Sequence, residues 1–329
     1  MVMKNVIKIL ASLLFISLNS CSSDEPKNPK SPGGSISENN SSVIIKADGT
    51  TSTGVVFSPI DNTSFFLDFI KYEIVDSHLE IIGYDPIELA EHVRPYASVT
   101  YQGVTYQTRV IRRAVFYNCN RLKSIEIPNT VISIEKAATG SYGAFQGCTN
   151  LTSVMLPESL ETIGWSTFYG CTSLTSISFP ESLETIDSWA FGGCTGLTSI
   201  SLPESLKTIG GGAFRDCTGL TSISLPESLE IIGESAFYDC TSLTSISFPE
   251  SLKHIGCCAF DGCTGLTSVT CNAIAPPLMF EYVLPYLIVA SEVFEDYTLE
   301  HGTLYVPSVS IQKYQNDPGW RYFQNIQGI

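Results

Sequence analysis

A near-verbatim repeat fills the middle of this chain and limits what it can fold into. Its consensus reads Leu-Thr-Ser-Ile-Ser-Leu-Pro-Glu-Ser-Leu-x-x-Ile-Gly-x-x-Ala-Phe-x-x-Cys-Thr. Six cysteines mark it at intervals of 23 residues: Cys148, Cys171, Cys194, Cys217, Cys240 and Cys263. Cys119 precedes Cys148 by 29 residues, because six residues are added within 137–143. Self-similarity at a fixed period of about 20–50 residues is typical of solenoids and related arrays, in which each repeat is one structural unit.

The repeat residues predict which side chains face the interior. Ile200 and Leu202 are two residues apart and share one face of a strand. Ser199 and Ser201 therefore point outward, and Pro203, which lacks a backbone N–H, ends the strand. The rest of the repeat directs a further set of small or apolar side chains inward: Leu206, Ile209, Ala213, Phe214 and Cys217. One repeat buries too little apolar surface to offset the entropy of ordering its backbone, so stability belongs to the stacked array.

The sequence therefore predicts a leucine-rich repeat solenoid of 23-residue repeats. We expect a right-handed coil with a parallel β-sheet on its concave face, formed by 111–271. A β-rich N-terminal cap is expected at 43–110 and a mixed α/β C-terminal cap at 272–329. An insert at 276–301 within the C-terminal cap matches no part of the repeat. Caps at both ends favour a monomer.

Strand signals support the β-rich N-terminal cap. Alternating apolar residues separated by short turn sequences predict two pairs of strands, at 69–75 with 78–82 and at 99–101 with 104–106. The second pair flanks Gln102-Gly103, which is typical of a hairpin. An independent ligand-binding domain is the alternative to a cap for this region.

The first twenty residues carry a targeting signal and are not part of the fold. A positive start is followed by an apolar core at 9–18, too short to span a membrane as a mature helix, and then by Leu18-Asn19-Ser20-Cys21. This pattern resembles a bacterial lipoprotein signal peptide at 1–20, cleaved before Cys21, whose thiol is then lipidated. Asn19 departs from the small residue usual at that place, and an ordinary secretory signal is the alternative. The Ser-Ser-Asp-Glu that follows resembles the tract that sends lipoproteins of Bacteroidota to the outer face of the outer membrane.

The segment 21–42 is rich in Ser, Pro, Asn and Gly and carries almost nothing apolar, which predicts a disordered tether. A lipid anchor on a tether implies that the folded part faces the cell exterior and meets the membrane only through the lipid. The formal net charge is −15, and no large Arg/Lys cluster occurs. Nucleic acid and anionic membrane surfaces both require a basic face, so neither is expected as a partner.

The repeat is similar to that of a known family. The segments Leu-x-x-Ile-x-Leu-Pro and Ile-Gly-x-x-Ala-Phe, with the Cys that follows, resemble the Treponema-type leucine-rich repeats of BspA-like surface proteins over 111–271. Leu304-Tyr-Val-Pro-Ser308 and the nearby Trp320 resemble the terminal cap of these proteins. Family members are described as adhesins that bind host extracellular proteins or other bacteria, so the resemblance implies a binding role. It implies no particular ligand.

Ten cysteines remain beside the lipidation site, and seven of them form the column from Cys119 to Cys263. A redox or metal ladder is one interpretation; thiols packed as small buried hydrophobic groups are the interpretation we favour. Neighbouring coils lie about 4.8 Å apart, so distance alone does not exclude disulfides. Cys271 takes an inward strand position and is expected to pack as well. Cys257 and Cys258 fall at variable positions without zinc-type spacing, and are either reactive thiols or chance replacements of Gly and Ser.

The sequence contains no catalytic constellation, cofactor motif or metal-ligand spacing, so we expect no enzyme, no cofactor and no metal. The four histidines lack metal-type partners, and Gly233-Glu-Ser235-Ala-Phe lacks the second glycine of a nucleophile elbow. Glutamates recur at one repeat position from Glu158 to Glu250. Solvated carboxylates are favoured there over a cation-binding ridge, because no Asp-x-Asp-x-Asn loop frames them.

Two surfaces are candidates for recognition. The outward positions of the expected concave sheet are nearly all serine, as at Ser176, Ser178, Ser199 and Ser201, and Glu126 and Met155 break this uniformity. The turn after Ile-Gly varies more, and stacking is expected to gather four aromatic side chains on one flank: Tyr142, Trp165, Tyr169 and Trp189. Exposed Trp and Tyr clusters mark contacts for proteins or sugars. The alternative is that these rings lie over neighbouring repeats as ordinary packing.

These observations predict a cell-surface-anchored, non-catalytic binding protein. The favoured function is adhesion to a host extracellular-matrix or plasma protein, or to other cells. Glycan capture as an accessory to polysaccharide uptake is the second hypothesis. A structural surface protein without a specific ligand is the third, which the uniform serine columns would suit.

Overall fold

The structure, a computed structural model, describes residues 42–46, 50–54, 57–61, 63–135, 141–280 and 293–329. The predicted signal peptide at 1–20, the lipidation site Cys21 and all but the last residue of the predicted tether lie outside the described residues. So do residues 281–292 of the predicted insert.

Short strands make up most of the regular structure. The N-terminal part contains β1 (Ser42–Ile44), β2 (Phe57–Pro59), β3 (Ser64–Leu67), β4 (Ile70–Val75), β5 (His78–Tyr84), β6 (His92–Val93), β7 (Ser98–Tyr101) and β8 (Val104–Ile111). The repeats contain β9 (Ser124–Glu126), β10 (Ser133–Ile134), β11 (Ser153–Met155), β12 (Thr162–Ile163), β13 (Thr185–Ile186), β14 (Ser199–Ser201), β15 (Thr208–Ile209), β16 (Ser222–Ser224), β17 (Ile231–Ile232), β18 (Ser245–Phe248), β19 (His254–Gly256) and β20 (Ser268–Cys271). The C-terminal part contains β21 (Leu278–Phe280), helix α1 (Asp296–His301), β22 (Thr303–Val306), a 3-10 turn (Ser308–Ser310), helix α2 (Ile311–Asn316) and β23 (Asn325–Gly328).

Two sets of parallel strands run along the array, one from each half of the repeat. In the first set, β14 pairs with β16 so that Ser199 lies opposite Ser222. The second set is a six-stranded sheet in the order β12-β13-β15-β17-β19-β21, with Thr185 opposite Thr208. Both registers equal the repeat length of 23 residues, which confirms the predicted leucine-rich repeat solenoid. The sequence predicts only the first set, because most strands of the second set have two residues and are too short to show alternation.

A third backbone ladder joins the turns that follow Ile-Gly. The N–H of Phe168 donates to the carbonyl of Ala190 at 2.8 Å, and the N–H of Phe191 donates to the carbonyl of Ala213 at the same distance. Neighbouring coils are therefore joined at up to three places, although the first set of strands is divided into the separate sheets β6-β9-β11, β14-β16 and β18-β20-β22-β23. Stability in such an array is a sum over neighbouring coils, which agrees with the expectation that a single repeat cannot fold alone.

Phenylalanine rings form the axis of the core. Phe116, Phe145, Phe168, Phe191, Phe214, Phe237 and Phe260 are all fully buried. Successive rings stack with their centroids 5.2–5.4 Å apart and their planes within 15° of parallel. This offset-parallel geometry is one that aromatic pairs favour, and it repeats because each ring occupies the same position of its coil.

The cysteine column lies beside the phenylalanine stack. Its seven members, from Cys119 to Cys263, are fully buried, and no disulfide is formed among the described cysteines. The thiol of Cys171 donates to the carbonyl of Phe145 at 3.2 Å, and the same bond recurs in the later coils. Cys271 is also fully buried, where it contacts the hydroxyl of Tyr314 at 3.2 Å. The interpretation of these thiols as small buried groups is confirmed.

The N-terminal part continues the sheets of the repeats. Both predicted strand pairs are present, with Val75 opposite His78 in one and Tyr101 opposite Val104 in the other. Strand β6 pairs with β9 and strand β8 with β10, both in parallel, so the two sets of strands extend beyond the first repeat. The ring of Tyr84 stacks at 5.5 Å on that of Phe116 and closes this end of the aromatic axis.

The predicted insert at 276–301 contains a further, divergent coil. Strand β21 pairs with β19, and the carbonyl of Val293 accepts the N–H of Phe260 at 2.7 Å. Phe294 then stacks on Phe260, and β22 pairs with β20. Val293-Phe294 thus takes the place of Ala-Phe in the consensus. This segment has no recognisable counterpart in the repeat sequence, because its spacing and its polar residues differ from the consensus.

Candidate binding surface

The turn after Ile-Gly has a fixed backbone and variable side chains. In the four coils from Phe168 to Phe237, the residue two places before the core phenylalanine adopts a left-handed conformation, with φ of +53° at Ser166, +61° at Trp189, +60° at Gly212 and +54° at Ser235. Its N–H donates to the next coil, as from Trp189 to the carbonyl of Gly211 at 2.9 Å. Because backbone hydrogen bonds hold the turn, its outward side chains are free to vary without loss of the fold.

Seven side chains of these turns form a row along one flank, here called the aromatic band: Tyr117, Tyr142, Trp165, Tyr169, Trp189, Arg215 and Tyr238. They come from only two kinds of position. One is the position directly after the core phenylalanine, which supplies Tyr117, Tyr169, Arg215 and Tyr238. The other is the turn itself, which supplies the remaining three.

Tyr117 and Tyr142 form the first contact of the aromatic band. Their ring centroids lie 4.0 Å apart with planes 24° apart, and Tyr142 is 48% exposed. Burial, together with a hydrogen bond to the Tyr142 hydroxyl, raises the pKa of Tyr117. Tyr142 lies within 137–143, the segment that contains the six added residues. The change in repeat length and the exposed ring therefore occur at the same place.

The indole of Trp189 packs against two glycines, Gly192 and Gly212. A Cβ atom at Gly212 would lie 3.1 Å from the Cδ2 and Cε2 atoms of this indole, and one at Gly192 would lie 3.1 Å from its Cε3 atom. Tyr169 meets the same indole edge-on, with the centroids 6.0 Å apart. The indole therefore packs against its neighbours on one side and stays partly exposed on the other.

Arg215 lies between Trp189 and Tyr238 in the aromatic band and contacts both rings. Its guanidinium carbon lies 5.5 Å from the ring centroid of Trp189 and 4.0 Å from that of Tyr238. Its Nε atom lies 3.6 Å from the carboxylate of Asp216. Cation–π contacts on both sides hold the guanidinium over the rings, where its N–H groups stay close to solvent.

The four aromatic residues predicted from sequence are thus divided. Tyr169 and Trp189 are in contact, Tyr142 stacks instead on Tyr117, and Trp165 makes none of the ring contacts found in the described part of the chain. Tyr142 and Trp165 occupy the same position of consecutive coils. Tyr117, Arg215 and Tyr238 are not among the residues predicted from the sequence. Aligning the position after each core phenylalanine would have revealed them, since it varies directly beside an invariant phenylalanine.

The second candidate surface, the outward side of the first set of strands, is polar and uncharged over most of its length. Ser199 and Ser201 are exposed within β14, and Met155 is 54% exposed at the end of β11. Glu126 differs, because it forms an ion pair with Arg94 and its side chain is only 15% exposed. Ser176 and Ser178 are exposed but lie outside the described strands; Ser178 forms an isolated bridge with Met155. The ladder of serines is therefore interrupted in that coil.

The glutamate column from Glu158 to Glu250 is exposed to solvent, and a second charged column three residues later pairs glutamates with lysines. Lys207 contacts Glu184 at 2.8 Å and Lys253 contacts Glu230 at 2.8 Å, all with side chains about half exposed. Among the residues described, no group of three or more His, Cys, Asp or Glu side chains is arranged to hold a metal ion. No helix in the described ranges has the length and apolar content needed to cross a membrane.

Comparison with known proteins identifies the repeat. The family described as "BspA type Leucine rich repeat region" matches in six copies, over residues 109–219 and 139–267. Comparison with curated protein sequences gives no match.

Solved structures of bacterial leucine-rich repeat proteins share the fold. A T. pallidum leucine-rich repeat protein is 30% identical, with a TM-score of 0.52 over 60% of this chain and 88% of that one. A leucine-rich repeat protein from Bacteroides ovatus is 27% identical, with a TM-score of 0.56 over 80% of this chain and 67% of that one. A leucine rich cell surface protein from Faecalibacterium prausnitzii is 24% identical, with a TM-score of 0.57 over 81% and 73%. The chain belongs to the BspA-type leucine-rich repeat family.

Proposed function

We propose that this protein is a non-catalytic adhesin that binds a host extracellular-matrix or plasma protein through the aromatic band. Membership of a family of leucine-rich repeat surface proteins agrees with a binding role without catalysis. The proposal includes a surface location, with the chain held at the outer membrane by a lipid on Cys21. The description of the F. prausnitzii relative as a cell surface protein supports that location.

The observation that carries the proposal is the row from Tyr169 through Trp189 and Arg215 to Tyr238. Trp, Tyr and Arg are the residue types that dominate the binding energy of protein interfaces. Here they are held in place before any ligand arrives, by two glycines below the indole and by the guanidinium between two rings. Side chains that are already ordered lose little entropy on binding, which favours affinity.

The same geometry favours a protein over a glycan. Sugar rings pack on open aromatic faces, whereas Arg215 already covers the ring of Tyr238 at 4.0 Å and lies over that of Trp189. A guanidinium flanked by aromatic rings is suited instead to a carboxylate or a carbonyl of a folded partner. Trp165 and Tyr142 are the residues on which a glycan-binding alternative depends.

Binding of the full-length chain to immobilised fibronectin and fibrinogen, alongside a glycan array, tests the proposal. We expect binding to at least one of the proteins, and a loss of about 10-fold or more in affinity for Trp189→Ala and for Arg215→Ala. Met155→Ala is the control, because it removes an exposed apolar side chain from a different face. Its affinity should equal that of the wild type.

Other outcomes separate the alternatives. Binding to glycans alone, lost in Trp165→Ala and Tyr142→Ala, would establish glycan capture. Binding lost in Met155→Ala but not in Trp189→Ala would place the site on the outward side of the first set of strands. The absence of binding to any immobilised protein or glycan would favour a structural surface role.

A further inference from the structure

Cys257 and Cys258 form a pair of thiols at the C-terminal end of the variable turns. They are adjacent in sequence, and their Sγ atoms lie 3.0 Å apart. Both side chains are partly exposed, whereas the eight other described cysteines are buried. In the described part of the chain, Cys257 and Cys258 are therefore the only cysteines accessible to a thiol reagent in solution, and they are adjacent.

The backbone holds the two sulfur atoms close to each other. The carbonyl of Cys257 accepts the N–H of Ser235 at 2.8 Å, and the carbonyl of Ala259 accepts the N–H of Phe237 at 2.8 Å. Cys258 adopts the left-handed φ of +56° that the turn requires. Hydrogen bonds on both sides of the pair thus fix its backbone, and with it the directions of both Cα–Cβ bonds.

We propose that Cys257 and Cys258 are a redox modification site, which closes to a disulfide between adjacent residues by exchange with a small-molecule disulfide. The thiolate of one cysteine attacks the small disulfide, releases one thiol and leaves a mixed disulfide. The neighbouring thiolate then displaces the second small thiol and forms the Cys257–Cys258 bond. Two protein thiols are oxidised, one small disulfide is reduced to two thiols, and the two protons pass to the released thiols.

The proposed bond is easily reversed. Cα atoms of adjacent residues in a trans peptide lie about 3.8 Å apart, below the usual range of about 4.4–6.8 Å for disulfides. Strain of this kind makes a disulfide easier to reduce than a structural one. The site therefore responds to the surrounding thiol–disulfide balance and does not act as a structural disulfide. This inference does not depend on what the aromatic band binds.

Intact-mass measurement of the folded, full-length chain after exposure to oxidised glutathione tests the proposal. The wild type should lose about two mass units through closure of the pair, without glutathione added at this site. Cys257→Ser and Cys258→Ser should each gain one glutathione instead, because the mixed disulfide has no neighbour to displace it. Two glutathiones on the wild-type pair, or no reaction there, would overturn the proposal.

Native alkylation locates the change. Before oxidation, the reduced wild type should take up two more alkyl groups than the double variant Cys257→Ser/Cys258→Ser, which also subtracts any reaction at Cys21. Oxidation should abolish that difference, and dithiothreitol should restore it. The double variant is expected to fold, since Ser and Gly occupy the equivalent positions at Ser188 and Gly211–Gly212. A difference that survives oxidation would show that no bond forms between the two sulfurs.

Discussion

The ring of Phe294 lies nearly parallel to that of Phe260, with the centroids 5.5 Å apart and the planes 13° apart. Phe294 belongs to a segment that does not resemble the repeat in sequence, yet it continues the aromatic axis and meets Trp320 and Phe323 beyond it. The array thus continues into a divergent segment that keeps the stacked inward phenylalanine of the repeat.

Replacing Phe294 by Ala should therefore destabilise the whole array. Removal of a fully buried phenylalanine leaves a cavity, and we expect the free energy of unfolding to fall by about 3–5 kcal/mol. Urea unfolding followed by circular dichroism measures it. Tyr297→Ala is the control, since this nearby ring is 50% exposed and its loss should change stability by less than about 1 kcal/mol. Equal effects of the two substitutions would contradict the role given to Phe294.

The buried thiols predict a loss of stability at alkaline pH. Burial raises the pKa of Cys171, Cys194 and Cys217 well above the ordinary value, so these thiols stay protonated in the folded chain. In the unfolded chain they ionise near their ordinary pKa. The unfolded state then binds fewer protons than the folded state, and stability falls as pH rises.

Above the ordinary pKa of a cysteine, each such thiol should lower the free energy of unfolding by about 1.4 kcal/mol per pH unit. Urea midpoints measured under reducing conditions at pH 7 and pH 10 test this. Cys194→Ala removes one contributor, so its stability should fall less steeply over the same interval. A wild type and variant with the same pH dependence would contradict the assignment.

Asp261 and Glu295 place two carboxyl groups together at the C-terminal end of the repeats. Burial, and next the charge of Glu295, raise the pKa of Asp261. A carboxyl group with a raised pKa favours folding when protonated, so its contribution is present at low pH and is lost as pH rises through the folded-state pKa. Both groups hydrogen-bond to the N–H of Gly262, at 3.1 Å from Asp261 and 3.0 Å from Glu295.

Asp261→Asn should therefore stabilise the protein at neutral pH. The amide keeps the oxygen that accepts from Gly262 and removes the repulsion, so we expect Tm to rise by roughly 1–3 °C at pH 7. The gain should vanish near pH 3, where the wild-type carboxyl is also neutral. Glu181→Gln, an exposed carboxylate on another face, should leave Tm unchanged. A decrease in Tm for Asp261→Asn at pH 7 would rule out the repulsion.

Trp189 occupies a left-handed position with φ of +61°, where the next coil has Gly212. A non-glycine residue in this region is strained by about 1–2 kcal/mol. Trp189→Gly releases the strain while Trp189→Ala does not, so the glycine variant should be the more stable of the two by about 1 kcal/mol. Chemical denaturation of both proteins gives this difference directly.

Gly212→Ala tests the contact between the same two residues. A methyl group there meets the indole at 3.1 Å and also requires a left-handed alanine, so this variant should be less stable than the wild type. In the Trp189→Gly background the steric part of that loss should disappear. A double-mutant cycle with a coupling energy near zero would show that the indole does not rest on Gly212.

Much of the fold could be predicted from the sequence. The consensus places Ile200, Leu206 and Phe214 inward, and all three are buried. The residue type predicts that the cysteine column packs inward. Its members are buried, and the thiols from Cys148 onward donate to backbone carbonyls. These assignments succeed because 23-residue periodicity forces every coil to bury the same positions.

The divergent coil could not be predicted in the same way. Val293-Phe294 replaces Ala-Phe at a different spacing, and only its pairing with Phe260 reveals it as part of the array. The two-residue strands β12, β13 and β15 could not be predicted from the sequence for a related reason. A two-residue strand has no pattern of its own and becomes a strand only through its neighbours above and below.

The sequence by itself determined the class of protein, the period of the coil and the identity of the core, since all three follow from which residues recur. Only the tertiary structure decided how the outward residues are grouped. Tyr142 stacks on Tyr117 and not on Trp165, and Arg215 lies between Trp189 and Tyr238. The reason is that inward positions are fixed by the need to exclude water from a shared core. Outward contacts depend instead on side-chain rotamers and on the space that glycines such as Gly212 leave open.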